Sequence, residues 1–548
     1  MKKINIGIFI LLFMSLISFS ACSDFLDVKS EGSPTMDNYF QSDQQAIDAI
    51  KALYSRFPQE AQFGRDLFWE QGGANDIVWG RPRSYNSLAF LTYSGDESPL
   101  RGNFEYFYMW MAQSNWVVKS LLDKQKTQEL TDIETRSLGE AYFMRAFNHF
   151  YLAYRYGTKD QGVPAIQYEK LEGDYDYSIP PQQASVVDNY KMIIEDLQNA
   201  EKYLPVFESY GPEDRGRAHK AAAVGYMAKV YAYWATWDSS QWQNVITCVD
   251  KLENEYGRDL ATSFSQLFSS DFADFWTKEY LWSIPGNGGA EGGGSEFPGV
   301  VLENKGWGIY NGWGQNKPSL DIYEEMLKDG EGNERLTRSI LAYNQEFQFN
   351  GETRKFYSAS DLDAGFMINK WMDPFKYANF TNEYVNSNAD WPTARVNFHI
   401  LRFADCLLLR AEAYLNTGNA AKATEDINRV RTRSHLAPLS GTATTADLYH
   451  ERRCELAFEF TDHLYDCKRW AVSGDATIKA LALKELTEAP RVRYYADRLD
   501  PESTFTVGKY SIFENMDKQW EDYKIVFPYP SEQINKSHGA LKQNKGYD

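Results

Sequence analysis

Cysteine, histidine and net positive charge are what this 548-residue chain has least of. Its five Cys and seven His form neither a C-x-x-C nor an H-E-x-x-H, so a zinc site has no support in the sequence. EF-hand-like calcium spacing is missing as well. Lys and Arg number 57 against 76 Asp and Glu, a formal net charge of −19. A surface that acidic disfavours DNA, RNA and anionic lipid, all of which need a basic footprint. Past the N-terminus no apolar run reaches the roughly 20 residues of a spanning helix. Hydrophobic residues at 43% and charged residues at 24% exclude wholesale disorder.

What is present begins with an address. Lys2 and Lys3 precede an almost uncharged apolar run, Ile4 to Phe19, which is too short to span a bilayer and ends in small residues. That is the pattern of a secretory signal. Phe19-Ser20-Ala21-Cys22 has the form of a lipobox, the site where a signal peptide is removed before a lipidated Cys. Residues 1–21 are therefore expected to be the signal peptide and Cys22 the lipid anchor. Ordinary cleavage after Ser20 is the alternative, because Ser18 and Ser20 also satisfy the small-x-small rule and Phe19 replaces the usual aliphatic residue. Removal takes Lys2 and Lys3 and no acid, leaving a net charge of −21. Export permits disulfides. Cys248 and Cys406 lie in apolar helical runs that suit buried thiols, and a Cys454–Cys467 bridge stays open.

Apolar periodicity near 3.6 dominates the chain and predicts an all-α fold. Leu407, Ala411, Tyr414, Gly418, Ala423, Ile427 and Val430 follow the spacing of a tetratricopeptide helix pair, in which small residues admit close approach and Gly418-Asn419 supplies the turn. A weaker copy runs from Ala228 and Tyr231, through a turn at Asp238–Ser240, to Val245, Val249 and Leu252. A third pairs Glu134–Tyr156 with Val186–Leu204, and an early helix near Gln44–Phe57 is expected to join one near Phe104–Leu122. Such units bury their faces only by stacking. The charged block Glu451, Arg452, Arg453, Glu455, Glu459, Asp466, Lys468 and Arg469 reads as structural, through pairing at i, i+4.

Two stretches break this pattern. Residues 62–103 are rich in Gly, Pro, Asn and aromatics. Residues 286–314 hold 11 Gly in 29 positions, a density no helix survives. From 335 to 395 the composition is mixed, with room for short strands. Long loops of this kind in a compact protein are either disordered or functional.

Several blocks then resemble one family. CSDFLD follows the lipobox; GEAYFMRAFNHFYLAYRYG leads to Val163-Pro164; RGRAHKAAAVGYMAKVYAY opens the next helix. FHILRFADCLLLRAEAYLNTGN with INRVRTRS, ERRCELAFEF with YDCKRW, and the closing IVFPYPSEQINKSHGALKQNKGY complete the order. The chain resembles the SusD/RagB family of Bacteroidetes outer-membrane lipoproteins over its whole mature length. His463 and Thr461 stand where that family usually has Arg and Gly, which puts one structural salt bridge in doubt. The resemblance implies a right-handed stack of about four tetratricopeptide-like helix pairs, with a helical region over residues 22–280 and a looser C-terminal lobe over 281–548. It also implies a non-enzymatic role: a lipid-anchored receptor on the cell exterior that captures oligosaccharide or polysaccharide, needs no cofactor, and serves a SusC-like TonB-dependent transporter. A RagB-like peptide receptor is the alternative. An exported glycoside hydrolase would need two carboxylates facing one cleft at about 5–10 Å, and no motif marks such a pair.

Sugar recognition needs flat apolar faces for the C–H side of a pyranose and polar groups for its hydroxyls. The chain has 15 Trp, 36 Tyr and 33 Phe. In the glycine-rich loop Trp307, Tyr310 and Trp313 alternate with glycines where no helix core explains them, and Asn311 and Asn316 stand ready to hydrogen-bond. The earlier loop offers Trp79, Arg81 and Tyr85 as further candidates, with Asp76 beside them. Asp76 with Arg81 reads equally well as an internal ion pair, and the loop rings as caps on the loops' own small cores. Tyr231, Trp234 and Trp242 are expected to pack where helices meet.

Overall fold

The computed structural model describes residues 39–79, 86–172, 180–269, 271–286, 316–349, 352–356, 364–371, 396–460, 463–497, 499–500 and 502–547. Helices carry the architecture. α1 (Asp43–Tyr54), α2 (Ser98–Gln125), α3 (Asp132–Tyr156), α4 (Val186–Tyr203), α5 (Lys220–Trp234) and α6 (Trp242–Asn254) occupy the N-terminal half. After α7 (Leu320–Leu327) come α8 (Phe403–Asn416), α9 (Ala420–Arg433), α10 (Thr445–Glu455), α11 (His463–Ala471) and α12 (Ala476–Thr487). From α2 to α6 each helix packs on the next, α8 then adds itself to α6, and α9 to α8. The all-α expectation holds.

Local chemistry sets the helix ends. Capping boxes at Ser42/Gln45, Thr131/Glu134 and Thr444/Asp447 open α1, α3 and α10, each satisfying two otherwise orphaned N–H groups. Gly418, with φ 79°, makes the turn between α8 and α9, and Asn419 caps α9 by accepting from Lys422 N–H, as the repeat spacing predicts. The early pairing differs from expectation. α1 packs mainly on α3 rather than on α2, and α2, which begins six residues before the expected Phe104, pairs with α3 as well. The cause is the burial of α3 on nearly every face, which makes it the central helix that both neighbours cover.

Short antiparallel ribbons join the halves. β2 (Tyr280–Ile284) pairs with β8 (Phe398–Arg402), and β1 (Ile77–Trp79) with β3 (Asn316–Pro318). Tyr280, the last residue of the expected N-terminal region, opens β2. Trp282 on β2 inserts edge-on among Phe143 at 4.5 Å, Phe57 at 4.8 Å and Phe147 at 5.0 Å, so one aromatic core runs through both halves. Two-stranded pairs β4 (Ile340–Ala342) with β7 (Phe366–Ile368), β5 (Glu346–Phe349) with β6 (Glu352–Lys355), and β9 (Arg491–Tyr495) with β10 (Phe505–Lys509) trim the C-terminal lobe. The closing segment returns to α3. Phe527 N–H donates to Arg155 O at 2.7 Å, and Asn544 Nδ2 donates to Tyr156 O at 2.8 Å and Phe527 O at 2.9 Å.

The charged block is structural, but its partners are tertiary rather than i, i+4. Arg402 on β8, wholly buried, donates to Glu279, Glu455 and Glu459 at 2.6–2.9 Å. Glu459 also binds Lys370 at 2.8 Å, and Arg433 adds Glu279 and Glu455. Arg452 binds Asp405 and Asp466, and Arg469 binds Glu412. α10 stops at Glu455, so Glu459 lies beyond any helical register with it. All four described cysteines are free and buried, Cys454 and Cys467 included.

Candidate functional site

The β1–β3 ribbon joins the first irregular stretch to the residues that follow the second. Trp79 is the register partner of Asn316, with Val78 opposite Lys317 and Ile77 opposite Pro318. Chain leaving β1 toward residue 80 and chain entering β3 from residue 315 therefore pass through the same end of one ribbon. Trp307, Tyr310, Asn311 and Trp313 lie outside the described residues, as do Arg81 and Tyr85, and Trp79 is placed by its backbone alone.

Under the ribbon sits a network of buried charge. Ser319, directly after β3, donates N–H to Asp76 O at 2.9 Å and its hydroxyl to Asn75 O. Asp76 is 5% exposed and accepts from Arg453 Nε at 2.8 Å, so its partner is Arg453 of α10. Asn316, expected to face ligand, is 3% exposed. Trp69 is likewise buried and donates its indole N–H to Asp66 at 2.9 Å. Glu485 on α12 accepts from Asn75 N–H and from His463 at 3.0 Å. Lys518 Nζ ties Gly73 O, Asn75 Oδ1 and Glu485 O at 2.7–2.8 Å. Asp76, Arg453, His463, Glu485 and Lys518 thus clamp residues 73–76 and 319 from below.

His463 resolves the departure noted in the sequence. It occupies the expected place of an arginine and still bridges carboxylates, reaching Glu485 at 3.0 Å and Asp76 at 3.7 Å. Burial opposes its charge, while the Cys467 sulfur, Glu485 and Asp76 favour it, and the balance lies well above the ordinary imidazole value. Burial pushes the Cys467 thiol up to about 11, so at neutral pH the carboxylates are the partners that count. Glu485 is held well below the usual carboxylate range: burial opposes this, and Arg453 and His463 outweigh it. Asp76 goes the other way, its burial outweighing Arg453. Lys518, desolvated, is brought down to about 7.

Among the described residues two groups have donor sets that suit a metal: His463, Cys467 and Glu485, and Asp329, His450 and Cys454, each with its donor atoms within 4.8 Å of one another. Both rest on an H-x-x-x-C spacing, which puts His and Cys on one helix face and which a search for C-x-x-C or H-E-x-x-H misses. Their carboxylates are already committed. Arg453 lies 3.4 Å from Glu485, and Arg335 and Arg431 hold Asp329 at 2.7 and 3.0 Å. A divalent cation would have to displace a guanidinium in either place. The carboxylates nearest the ribbon, Asp76 and Glu485, are sealed from solvent at 5% and 2% exposure, which is no arrangement for attacking a glycosidic bond.

Stacked helix pairs braced by a buried two-stranded ribbon define a helical scaffold. Comparison with known proteins places it further. The SusD family model matches residues 226–547, and a second model, described as "Starch-binding associating with outer membrane", matches residues 24–232. The chain belongs to the SusD family. A SusD-like protein of Bacteroides ovatus is 25% identical over 474 residues, covering 82% of this chain and 80% of the relative. A crystallised SusD-like protein of Bacteroides fragilis superposes with a TM-score of 0.73 at 21% identity, covering 93% of this chain and 98% of its own. Surface glycan-binding protein A of Bacteroides fluxus gives 0.67 at 20% identity, covering 92% and 100%.

Proposed function

We propose that this protein captures oligosaccharide or polysaccharide at the outer surface of the outer membrane and passes it to a SusC-like TonB-dependent transporter. The observation that carries the reading is the Trp79–Asn316 pairing, which joins the first aromatic-rich stretch to the chain just past the second, over an ion-paired base. Membership of the SusD family supports it, as does the fold shared with surface glycan-binding protein A of Bacteroides fluxus. In this reading Trp307, Tyr310 and Trp313 offer their faces to pyranose rings, with Asn311, Trp79, Arg81 and Tyr85 beside them. Asp76 and Asn316 hold the base.

Aromatic anchors at the centre of a binding surface cost about 2 kcal/mol or more when truncated. Trp307→Ala combined with Trp313→Ala should therefore weaken glycan binding at least about a hundredfold. Calorimetry against a polysaccharide first identified on a glycan array reads this directly, with the unfolding midpoint as a check on the fold. Unaltered affinity would remove the glycine-rich loop from the site.

The lipobox supplies the tether, since among the described residues no helix is long and apolar enough to cross a membrane. Cys22→Ala should move the protein from the membrane pellet to the soluble fraction after cell lysis. A membrane fraction unchanged by the substitution would refute lipidation at Cys22.

A further inference from the structure

A second hollow lies away from the ribbon. It is a cavity of about 320 Å³ between the α5–α6 turn, the end of α8, and the link from α11 to α12. Its size falls at the small end of ligand pockets, which run roughly 300–1,000 Å³. At its floor Glu412 accepts both guanidinium arms of Arg469, at 2.5 and 2.6 Å, and the indole N–H of Trp470 at 2.8 Å. That charge is spent internally. The wall adds neutral hydroxyl and amide groups from Thr236, Ser239, Asn416 and Ser473.

Trp237 and Trp242 also line it, Trp242 as part of the buried core and Trp237 partly buried against that core. Trp110, Trp234, Trp282 and Trp371 each pack against another aromatic ring. Trp237 and Trp242 have no ring partner, and their indole N–H groups have no acceptor, among the described residues. Trp242 is 6% exposed and counts among the rings of the buried core while also lining the cavity. Trp234 packs against Tyr231 at 6.0 Å and Tyr190 at 6.3 Å, and Trp242 is buried in the core, both as expected of residues where helices meet.

We propose that this cavity is a second saccharide site, separate from the loop site and taking a neutral mono- or disaccharide unit. Indole faces meet the C–H side of the ring, and the indole N–H groups with the surrounding hydroxyls and amide meet its oxygens. A uronic acid is disfavoured there. The guanidinium of Arg469 is committed to Glu412 and to Asp466, and Asp475 adds a further carboxylate to the wall.

The test uses the full chain carrying Trp307→Ala and Trp313→Ala, which removes the loop rings. Saturation-transfer NMR is recorded with maltose, cellobiose, laminaribiose and mannobiose. At least one disaccharide should still give a signal, which falls at least fivefold when Trp237→Ala is added, and equally with Ser473→Trp, which fills the cavity from the opposite wall. Trp237 is half-exposed, and an unchanged unfolding midpoint verifies that each variant is folded. No signal from any of the four sugars, or a signal that survives either added substitution, overturns the proposal. The loop reading fails separately, if the loop substitutions leave binding of the larger glycan unchanged.

Discussion

Replacing Arg402 by methionine should cost the protein about 3–5 kcal/mol of stability, the range seen when one partner is removed from a buried ion pair. The size follows from what would be left behind. All five guanidinium N–H groups are used: Nε on Glu459, Nη1 on Glu279 and Glu455, and Nη2 on Glu459 and the Glu455 carbonyl. Arg402 and the three glutamates are 0% exposed. Methionine fills much of the volume but leaves three carboxylates to share Arg433, Arg335 and Lys370. The matched control is Arg491→Met. Arg491 is 42% exposed and pairs with Asp321 and Glu324, so the change should stay within about 1 kcal/mol. Urea unfolding of both variants measures the difference. Equal, small losses would show that the β8 network is a passenger rather than the bond between the halves.

That network also shows where reading the sequence stops. The α8–α9 turn was legible because everything that specifies it is local: apolar spacing, a glycine with φ 79° and a capping Asn419. The FPYP and LKQN blocks of the closing segment were legible as motifs, and their contacts on α3 explain why their residues matter. By contrast, Glu459 and Arg402 are 57 residues apart, and Asp76 and Arg453 are 377 apart. Charge patterning along one helix carries no trace of such partners, so i, i+4 pairing was the available and wrong account. The ribbon was invisible for the same reason. Trp79 and Asn316 share no sequence signal, and a three-residue strand is too short to show a period of two. Of the candidate residues, Asp76 and Asn316 were chosen because polar side chains beside aromatic loops suit sugar hydroxyls. Their burial comes from partners remote in sequence: Asp76 meets Arg453 and His463, and Asn316 lies in a strand buried at all three positions. Trp242 packs in the core at a helix junction as expected, and that it also lines a cavity is something no periodicity reveals.

Acid should weaken this protein in two stages, the first beginning well above the pH at which carboxylates titrate. His149 and His219 are buried neutral imidazoles. Asn189 Nδ2 donates to His149 Nε2 at 2.8 Å, and His219 Nε2–H donates to Leu281 O at 2.8 Å. Burial, helped by Arg145 beside His149 and Arg258 near His219, brings each down to about 3. A depressed imidazole takes up its proton in the unfolded chain first, so its contribution is fully present above about 6.5 and is lost as pH falls toward 3. Each such histidine should tilt stability by about 1.4 kcal/mol per pH unit across that window. His450 and His463, both raised, are protonated in both states well below 6.5, so their stabilisation is fully present there and adds no slope. Below about pH 4.5 a second stage joins. Glu455 and Glu325 are held at about 2 against the pull of burial, Glu455 by Arg433 and Arg402 and Glu325 chiefly by His450, and their contribution disappears as pH falls through that value. Glu140 and Asp196, raised by burial, soften the fall because they take up protons in the folded state first. The first stage is isolated by His149→Gln, which keeps an acceptor for Asn189 but cannot be protonated. Its stability at pH 7 should sit modestly below wild type, and between pH 6.5 and 5 its slope should be shallower by about 1.4 kcal/mol per unit. Urea midpoints at four or five pH values suffice to compare the two, and parallel lines would mean that His149 is charged in the folded protein, contrary to the hydrogen bond it accepts.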